Sequence, residues 1–325
     1  MKNKKFLGLI GCGYWGKNLA RDFNSFGVLK TVSDINSKAK NQIMKISKSI
    51  LFTDNYKEIL EDKDITSVAI ATPAKSHYKL VQESLIAKKN VFVEKPLCLN
   101  YNNGKILVSL AKKNKVKLMV GHLMLYHPAF IKMKESIKKG KVGKIRYIYS
   151  NRLALGKLRR EEDVLWSFAP HDISMIMELI NEKLITVRAF GARYLNKKVA
   201  DTTITLLKFK NKIKAHIFVS WLHPYKDQRL VVVGDKGMLV FADVLKSREK
   251  LVFYNHKVGW VKDIPKVHKA EGKSIAFDYD TSPLKEECRA FINWILTGKE
   301  PISNGEEGLR VLKVLEMARK DLNKW

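Results

Sequence analysis

A chain of 325 residues with 46% hydrophobic content is long enough for two domains, each with a sizeable core, and none of its apolar runs approaches a membrane span. Its 61 Lys and Arg against 32 Asp and Glu give a formal charge of +29, which raises nucleic acid, a membrane surface or an anionic substrate as partners. Lysines far outnumber arginines and are scattered in pairs such as Lys88-Lys89 and Lys112-Lys113, whereas base readout favours Arg gathered on one element; the expectation is a solvated surface, with no nucleic-acid or membrane partner.

The first predicted element is the apolar strand Phe6–Ile10, which runs into Gly11-x-Gly13-x-x-Gly16 and a helix over Lys17–Phe26. This is the layout that holds a dinucleotide pyrophosphate. One glycine makes the tight turn, one leaves room for phosphate, and one lets helix and strand pack closely. A second strand, Leu29–Ser33, ends at Asp34, 18 residues beyond Gly16. An acid there accepts from the ribose hydroxyls and repels a 2′-phosphate, so NAD is the expected cofactor. Tyr14, Trp15 and Ile35 flank these positions and complete that side of the expected site.

Strands over Ser67–Ala71, Asn90–Val93 and Lys117–Val120 alternate with helices, of which Ser76–Ala87 and Asn100–Lys113 have the clearest apolar spacing. Such alternation predicts a doubly wound parallel sheet with ligands at the carboxyl ends of its strands. Polar residues gather at those ends: Thr72-Pro73 with His77, then Glu94-Lys95-Pro96, then Gly121-His122. Pro96 holds Lys95 in extended backbone, and a cis bond between them is open from sequence.

Beyond Leu123 the texture changes. A helix is predicted over Pro128–Lys139, a strand over Lys144–Asn151, a polar stretch to Asp163, and a short helix over His171–Ile180. Antiparallel strands follow at Ile185–Arg193, Thr202–Phe209, Lys214–Trp221, Arg229–Val233 and Met238–Phe241. Turns at Lys210-Asn211-Lys212 and Gly234-Asp235-Lys236-Gly237 join some of them. Helices over Leu284–Leu296 and Gly305–Leu322 close the chain. The fold class is therefore α/β: an N-terminal doubly wound sheet over residues 1–122 and an α+β domain with a large, mostly antiparallel sheet over 123–300. Residues 301–325 form a last helical segment. A sheet with one open face suits self-association, so a homo-oligomer, dimer or tetramer, is expected through it.

The three cysteines, Cys12, Cys98 and Cys288, are far apart and in no metal spacing, which implies a reducing compartment, a cytoplasmic location and no metal. The start of the chain imitates a lipoprotein cleavage signal ending at Cys12, but cleavage there would destroy the first strand and Gly11.

With these residues in view, the chain resembles the Gfo/Idh/MocA family of sugar and polyol oxidoreductases over essentially its full length. The marks are Gly11-Cys12-Gly13-Tyr14-Trp15-Gly16 with Asp34, Ala71-Thr72-Pro73 with His77, Glu94-Lys95-Pro96, Gly121-His122, and His171 in the second domain. Segments around residues 11–21, 151–175 and 220–241 look like its nucleotide-sugar branch, which includes UDP-N-acetylglucosaminuronate 3-dehydrogenases. The resemblance implies a last helix returning to the Rossmann domain and a lysine, Lys95, lying between nicotinamide and substrate.

The implied reaction takes a proton from a secondary alcohol while hydride leaves its carbon. A lysine serves as base when desolvation or a neighbouring cation lowers its pKa. The alternative for Lys95 is a structural pair with Glu94. His171 follows Pro170 and is expected to open its helix and hydrogen-bond the reacting hydroxyl; beside Asp172 it equally reads as a helix-start pair. Many family members carry Asp four residues before this histidine, where the chain has Ser167, a departure the nucleotide-sugar branch shares. Asn151, Arg152, Arg159 and Arg160 are expected to bind the substrate, the arginines by clamping phosphate or carboxylate, with Arg152 the strongest; a solvated loop is the alternative. Trp166 either stacks on sugar or packs in the core, and His223 and Lys226 are weaker candidates. The reading is thus a nucleotide-sugar dehydrogenase, with a polyol or free-sugar enzyme, or an NAD-sensing basic binding protein, as rivals.

Overall fold

The computed structural model describes residues 5–156, 158, 162–322 and 324. In chain order the first elements are β1 (Leu7–Ile10), α1 (Gly16–Ser25), β2 (Leu29–Ser33), α2 (Lys38–Ile46), β3 (Leu51–Thr53), α3 (Tyr56–Glu61), β4 (Ser67–Ile70), α4 (Ala74–Ile86), β5 (Asn90–Glu94), α5 (Tyr101–Lys113) and β6 (Leu118–Gly121). There follow α6 (Pro128–Lys138), β7 (Ile145–Leu153), α7 (Val164–Leu179), β8 (Leu184–Ala192), β9 (Thr202–Phe209), β10 (Lys214–Ser220), β11 (Asp227–Gly234) and β12 (Met238–Ala242). The last are β13 (Leu251–Tyr254), β14 (Lys257–Val261), β15 (Ile264–His268), β16 (Gly272–Ser274), α8 (Pro283–Thr297) and α9 (Gly305–Leu322).

The chain forms two compact units, one of residues 1–123 and 282–313, the other of residues 124–281 and 314–325. In the first unit six parallel strands lie in the order β3-β2-β1-β4-β5-β6. β1, β4 and β6 are buried along their whole length, as expected of parallel strands covered on both faces. The order reverses between β1 and β4, which opens the crevice where such sheets take ligands. Two elements here differ from the sequence reading. β3 is a three-residue edge strand with Leu51 exposed, too short to give a periodic signal. α8, placed by sequence in 123–300, belongs to this unit because Phe291 joins Phe23 of α1 and Phe92 of β5, with ring centroids 5.8–6.4 Å apart. The start of α9 packs here as well: a Cβ on Gly308 would lie 2.5 Å from Val120 Cγ2, and Leu312 lies over Gly104 of α5.

The second unit holds an eight-stranded sheet in the order β16-β13-β12-β11-β7-β10-β9-β8, antiparallel except for the central β7–β10 pair. β9 alternates buried and exposed residues, so one sheet face is covered; α7 packs against β7, β9 and β10. The expected turns join β9 to β10, with Lys212 at φ 64, and β11 to β12. His127 caps α6 by accepting from the Ala129 N–H at 3.1 Å, and its Nε2 faces Asp243 at 3.3 Å. β14 and β15 make a separate two-stranded hairpin, exposed on both faces, around Lys262 and Asp263 in left-handed backbone. No helix among the described residues is long and apolar enough to cross a membrane, and all three cysteines are buried and free.

Candidate active site

The glycine loop between β1 and α1 separates two kinds of glycine. Gly11 has φ +91, and a Cβ there would lie 2.8 Å from the Ala71 backbone; a Cβ on Gly16 would lie 2.1 Å from the Gly11 carbonyl oxygen. These two are required by the protein's own packing. A Cβ on Gly13 would meet nothing within 4 Å, so the space it keeps clear lies outside the fold. No side chain caps α1 and no acid sits in its first turn, which leaves its positive end for an anion. Asp34 accepts from the Cys12 N–H at 2.6 Å and from the Asn36 N–H at 2.8 Å, one on each oxygen. The carboxylate is thereby fixed against the loop with a lone pair left on each oxygen. Burial, helped by the Asp34 charge, pushes the Cys12 thiol up to about 11, so it stays neutral. Tyr14 and Ile35 are exposed, at 79% and 93%. Clear space, free helix end and oriented acid together fit a dinucleotide.

At the end of β4 the Thr72 hydroxyl lies 2.7 Å from that of Ser76. His77 is buried, and its ring nitrogens lie 2.7 Å from the Pro96 carbonyl oxygen and 2.9 Å from that of Thr72. Burial lowers its pKa, opposed by the two carbonyl oxygens, each of which favours a proton on the nitrogen it faces. This corrects the expectation that His77 contacts cofactor: both nitrogens are spent on backbone, and the residue is a strut joining the loops after β4 and β5.

After β5 the Lys95–Pro96 bond is cis, and Lys95 is half-buried. Glu94 is 9% exposed; it accepts from the Trp15 indole N–H on Oε1, and the Lys95 amide lies 3.3 Å from Oε2. Burial pushes this carboxyl up to about 7, against the opposing pull of Lys95, Trp15 and His122. His122, after β6, is itself buried with Nδ1 against the Glu307 carboxylate of α9. Sequence reasoning missed Glu307 and a further buried acid, Glu287 of α8. Neither Glu287 oxygen has a hydrogen-bond partner among the described residues, and burial with the nearby Glu94 drives its pKa well up. The signal was present: Leu284, Glu287, Cys288 and Phe291 form one helical stripe, and an acid on an apolar stripe is out of place.

In the second unit α7 begins at Val164, where Asp163 caps it by accepting from the Trp166 N–H at 2.9 Å. The expected start at His171 is corrected. Pro170 sits inside the helix rather than before it, and half-buried His171 lies mid-helix, one turn beyond buried Ser167. Asp172 is not a helix-start charge; 1% exposed, it accepts from Arg152 Nε at 2.7 Å and Nη2 at 3.3 Å, and from the Ser150 hydroxyl at 2.5 Å. Arg152 is accordingly buried in a bidentate pair tying α7 to β7, which corrects its expected role as an anion clamp. Asn151 is half-buried and donates to Asp227 at 3.4 Å. Trp166 is 3% exposed, with the Arg319 guanidinium 5.0 Å over its ring, so it is a core residue and not a sugar platform. Arg159 and Arg160 lie outside the described residues. His223 has Nδ1 2.8 Å from the Tyr225 carbonyl oxygen, and Lys226 is exposed. No group of three or more His, Cys, Asp or Glu among the described residues is placed to hold a metal ion.

The chain is 28% identical to myo-inositol 2-dehydrogenase of Thermotoga maritima over 97% of its own length and 96% of that protein. It is 25% identical to UDP-N-acetylglucosamine 3-dehydrogenase of Acidithiobacillus ferrooxidans over 94% and 93% of the two chains. A solved structure of UDP-N-acetylglucosamine 3-dehydrogenase from the same organism matches with a TM-score of 0.84, covering 98% of this chain and 97% of that one at 22% identity, a likeness of fold. Residues 6–122 match the oxidoreductase family model for an NAD-binding Rossmann fold, and residues 130–240 match the model of the Gfo/Idh/MocA C-terminal domain. With both matches on one chain and a dinucleotide cradle at the head of the first, the chain belongs to the Gfo/Idh/MocA family and is a nicotinamide-dinucleotide oxidoreductase.

Proposed function

We propose that the protein is an NAD-dependent dehydrogenase that oxidises a ring hydroxyl of a nucleotide sugar, C3 of a UDP-N-acetylhexosamine or its uronate, in nucleotide-sugar or surface-polysaccharide synthesis. The observation that carries the reaction is Glu94-Lys95-Pro96 at the carboxyl end of β5, in the same unit as the glycine loop. Gly11, Gly13, Tyr14, Trp15, Gly16, Asp34, Ile35, Thr72 and Pro73 are the proposed cofactor contacts, and the Asp34 carboxylate favours NAD over its 2′-phosphorylated form. A bound nicotinamide supplies the acceptor for the hydride that leaves the carbinol carbon. Lys95 takes the hydroxyl proton, and His171 hydrogen-bonds the substrate and shares that proton. With Arg152 committed to Asp172, the anionic part of the substrate falls to Asn151, Arg159 and Arg160, helped by the long-range pull of a +29 chain.

A UDP-sugar is supported by the 25% identity to a UDP-N-acetylglucosamine 3-dehydrogenase. A polyol is the second reading, favoured by the comparable 28% identity to an inositol dehydrogenase. A basic, NAD-sensing binding protein without catalysis is the third; it requires Lys95→Ala to leave the biological activity intact while charge reversal abolishes it. Self-association is proposed through the open face of the second sheet, where Phe190, Ile204 and Leu206 are exposed. NADH formation by the purified protein across UDP-sugars, their uronates and inositols separates the substrates. Turnover of UDP-N-acetylhexosamines or uronates is expected; turnover of inositols alone would replace the first reading by the second.

A further inference from the structure

Trp15 is the residue on which the glycine loop becomes helix α1, and its half-buried indole donates its N–H to Glu94. The carboxyl at the other end of that bond sits in space that a glycine leaves open. Glu94 is paired with Gly121 in the β5–β6 register, and a Cβ on Gly121 would lie 3.2 Å from the carboxyl carbon and from Oε2. A side chain on β6 at that point would crowd Glu94, so Gly121 keeps clear the space in which the carboxyl meets the indole.

The titratable groups around it come from each packed element. Lys95 follows it on the same segment. His122 lies beyond β6, bound to Glu307 of α9. α8 contributes Glu287 and Cys288. Phe92 lies two residues before Glu94 and Phe291 one turn beyond Glu287, and their rings sit 5.8 Å apart, which turns both acids to the same side of the β5–α8 contact. α1 contributes Asp22, which pairs with Arg21. Within this shell Trp15 is an uncharged donor reaching Glu94 from the cofactor loop. A hydrogen bond from N–H to a carboxylate favours its ionised form, and an ionised carboxylate beside a lysine favours the ammonium.

We propose that Trp15 is a positioning residue for the reaction: by donating its indole N–H to Glu94 it draws that carboxyl toward its ionised form beside Lys95, and so couples the seating of the glycine loop to the protonation of the lysine. The catalytic half of this proposal rests on reading Lys95 as the base; the Trp15–Glu94 contact does not. A reaction that needs Lys95 neutral then starts at a higher pH with Trp15 in place than without it. The glycine loop thereby acts on the base as well as on the phosphates.

The first test needs no substrate. In the full-length protein labelled with 15N-indole tryptophan, the Trp15 resonance is assigned by its loss in Trp15→Phe. It is expected to move with pH around the Glu94 titration, and Glu94→Gln should leave it flat. A Trp15 signal that stays fixed between about pH 5 and 9 overturns the proposal. The second test uses the active substrate and NAD. Trp15→Phe should move the acid limb of the kcat/KM–pH profile down by about 0.5–1 pH unit, Glu94→Gln at least as far, and the double variant no further than Glu94→Gln. A lower plateau with an unmoved limb would mean that the indole only packs, and overturns it. If no substrate turns over, the reading of Lys95 fails while the indole titration still decides the contact.

Discussion

The strand ends of the first unit and the α7–β7 contact of the second were both expected to carry chemistry, and they met different fates. In the first unit Gly11, Gly16, Asp34 and Lys95 stand where their spacing put them, because backbone determines those positions. A tight turn, a close helix–strand approach and a residue before proline leave little choice. In the second unit Arg152 was assigned to the substrate and Asp172 was read only as a helix-start charge, and each turned out to be the other's partner. Side-chain partnership across β7 and α7 depends on which face of a long helix meets the sheet. Pro170 hid that by imitating a helix start. Backbone-determined positions can be read from one sequence, whereas side-chain partnerships need the register of two elements.

The contrast is sharpest for Lys95 against Arg152. Lys95→Ala should lower kcat/KM by about 10²–10⁴-fold while NAD binding, followed by fluorescence titration, stays within about threefold. A fall of less than about tenfold would return Lys95 to a structural pair with Glu94. Arg152→Met should act on folding instead: stripping the guanidinium from buried Asp172 costs about 3–5 kcal/mol in denaturant unfolding, and Arg152→Met with Asp172→Leu should recover much of it. A stable Arg152→Met variant with raised KM would restore the anion clamp.

Within the glycine loop the same division separates two neighbours. Gly16→Ala puts a methyl group 2.1 Å from the Gly11 carbonyl oxygen and should cost stability and cofactor binding together. Gly13→Ala meets no protein atom, so the Tm without cofactor should hold within about 1–2 °C while NAD affinity falls at least roughly tenfold. Equal losses of Tm in both variants would break the assignment of Gly13 to a ligand.

The smallest effect concerns Glu94. Burial raises its folded-state pKa to about 7, so the folded state holds a proton that the unfolded state releases near 4.5. The stability this proton supplies is full below 4.5 and is lost as pH rises through about 7. Glu94→Gln should therefore flatten the fall of Tm between pH 5 and 8 by about 2–4 °C, measured by calorimetry. A slope unchanged from that of the parent protein would place the titration on another group.

Much of the fold was legible. Five of the six parallel strands, both clear helices between them and the antiparallel run from β8 to β12 follow from periodicity and turn residues. What escaped were features without local pattern. β3 is three residues long, and the β14–β15 hairpin turns on Lys262-Asp263 without a glycine. α8 reads correctly as a helix, yet its allegiance to the first unit rests on Phe291 meeting Phe23 and Phe92, partners more than 190 residues upstream. In the site, His77 was found as a residue and misjudged in role, while Trp166, open between sugar and core, went to the core. Burial, not residue type, decides whether a polar tip reaches a ligand.

The division of the first unit into residues 1–123 and 282–313 also orders events during synthesis. The ribosome delivers β1 to β6 early, but the three-ring cluster that covers α1 and β5 lacks Phe291 until α8 emerges. Replacing a buried phenylalanine by alanine costs about 3–5 kcal/mol, and a missing Phe291 leaves a comparable gap. The core of the first unit is thus finished after the sheet of the second unit has left the ribosome. A nascent chain stalled in β16 would carry every glycine and acid of the cradle, yet its hydrophobic cluster would still be open.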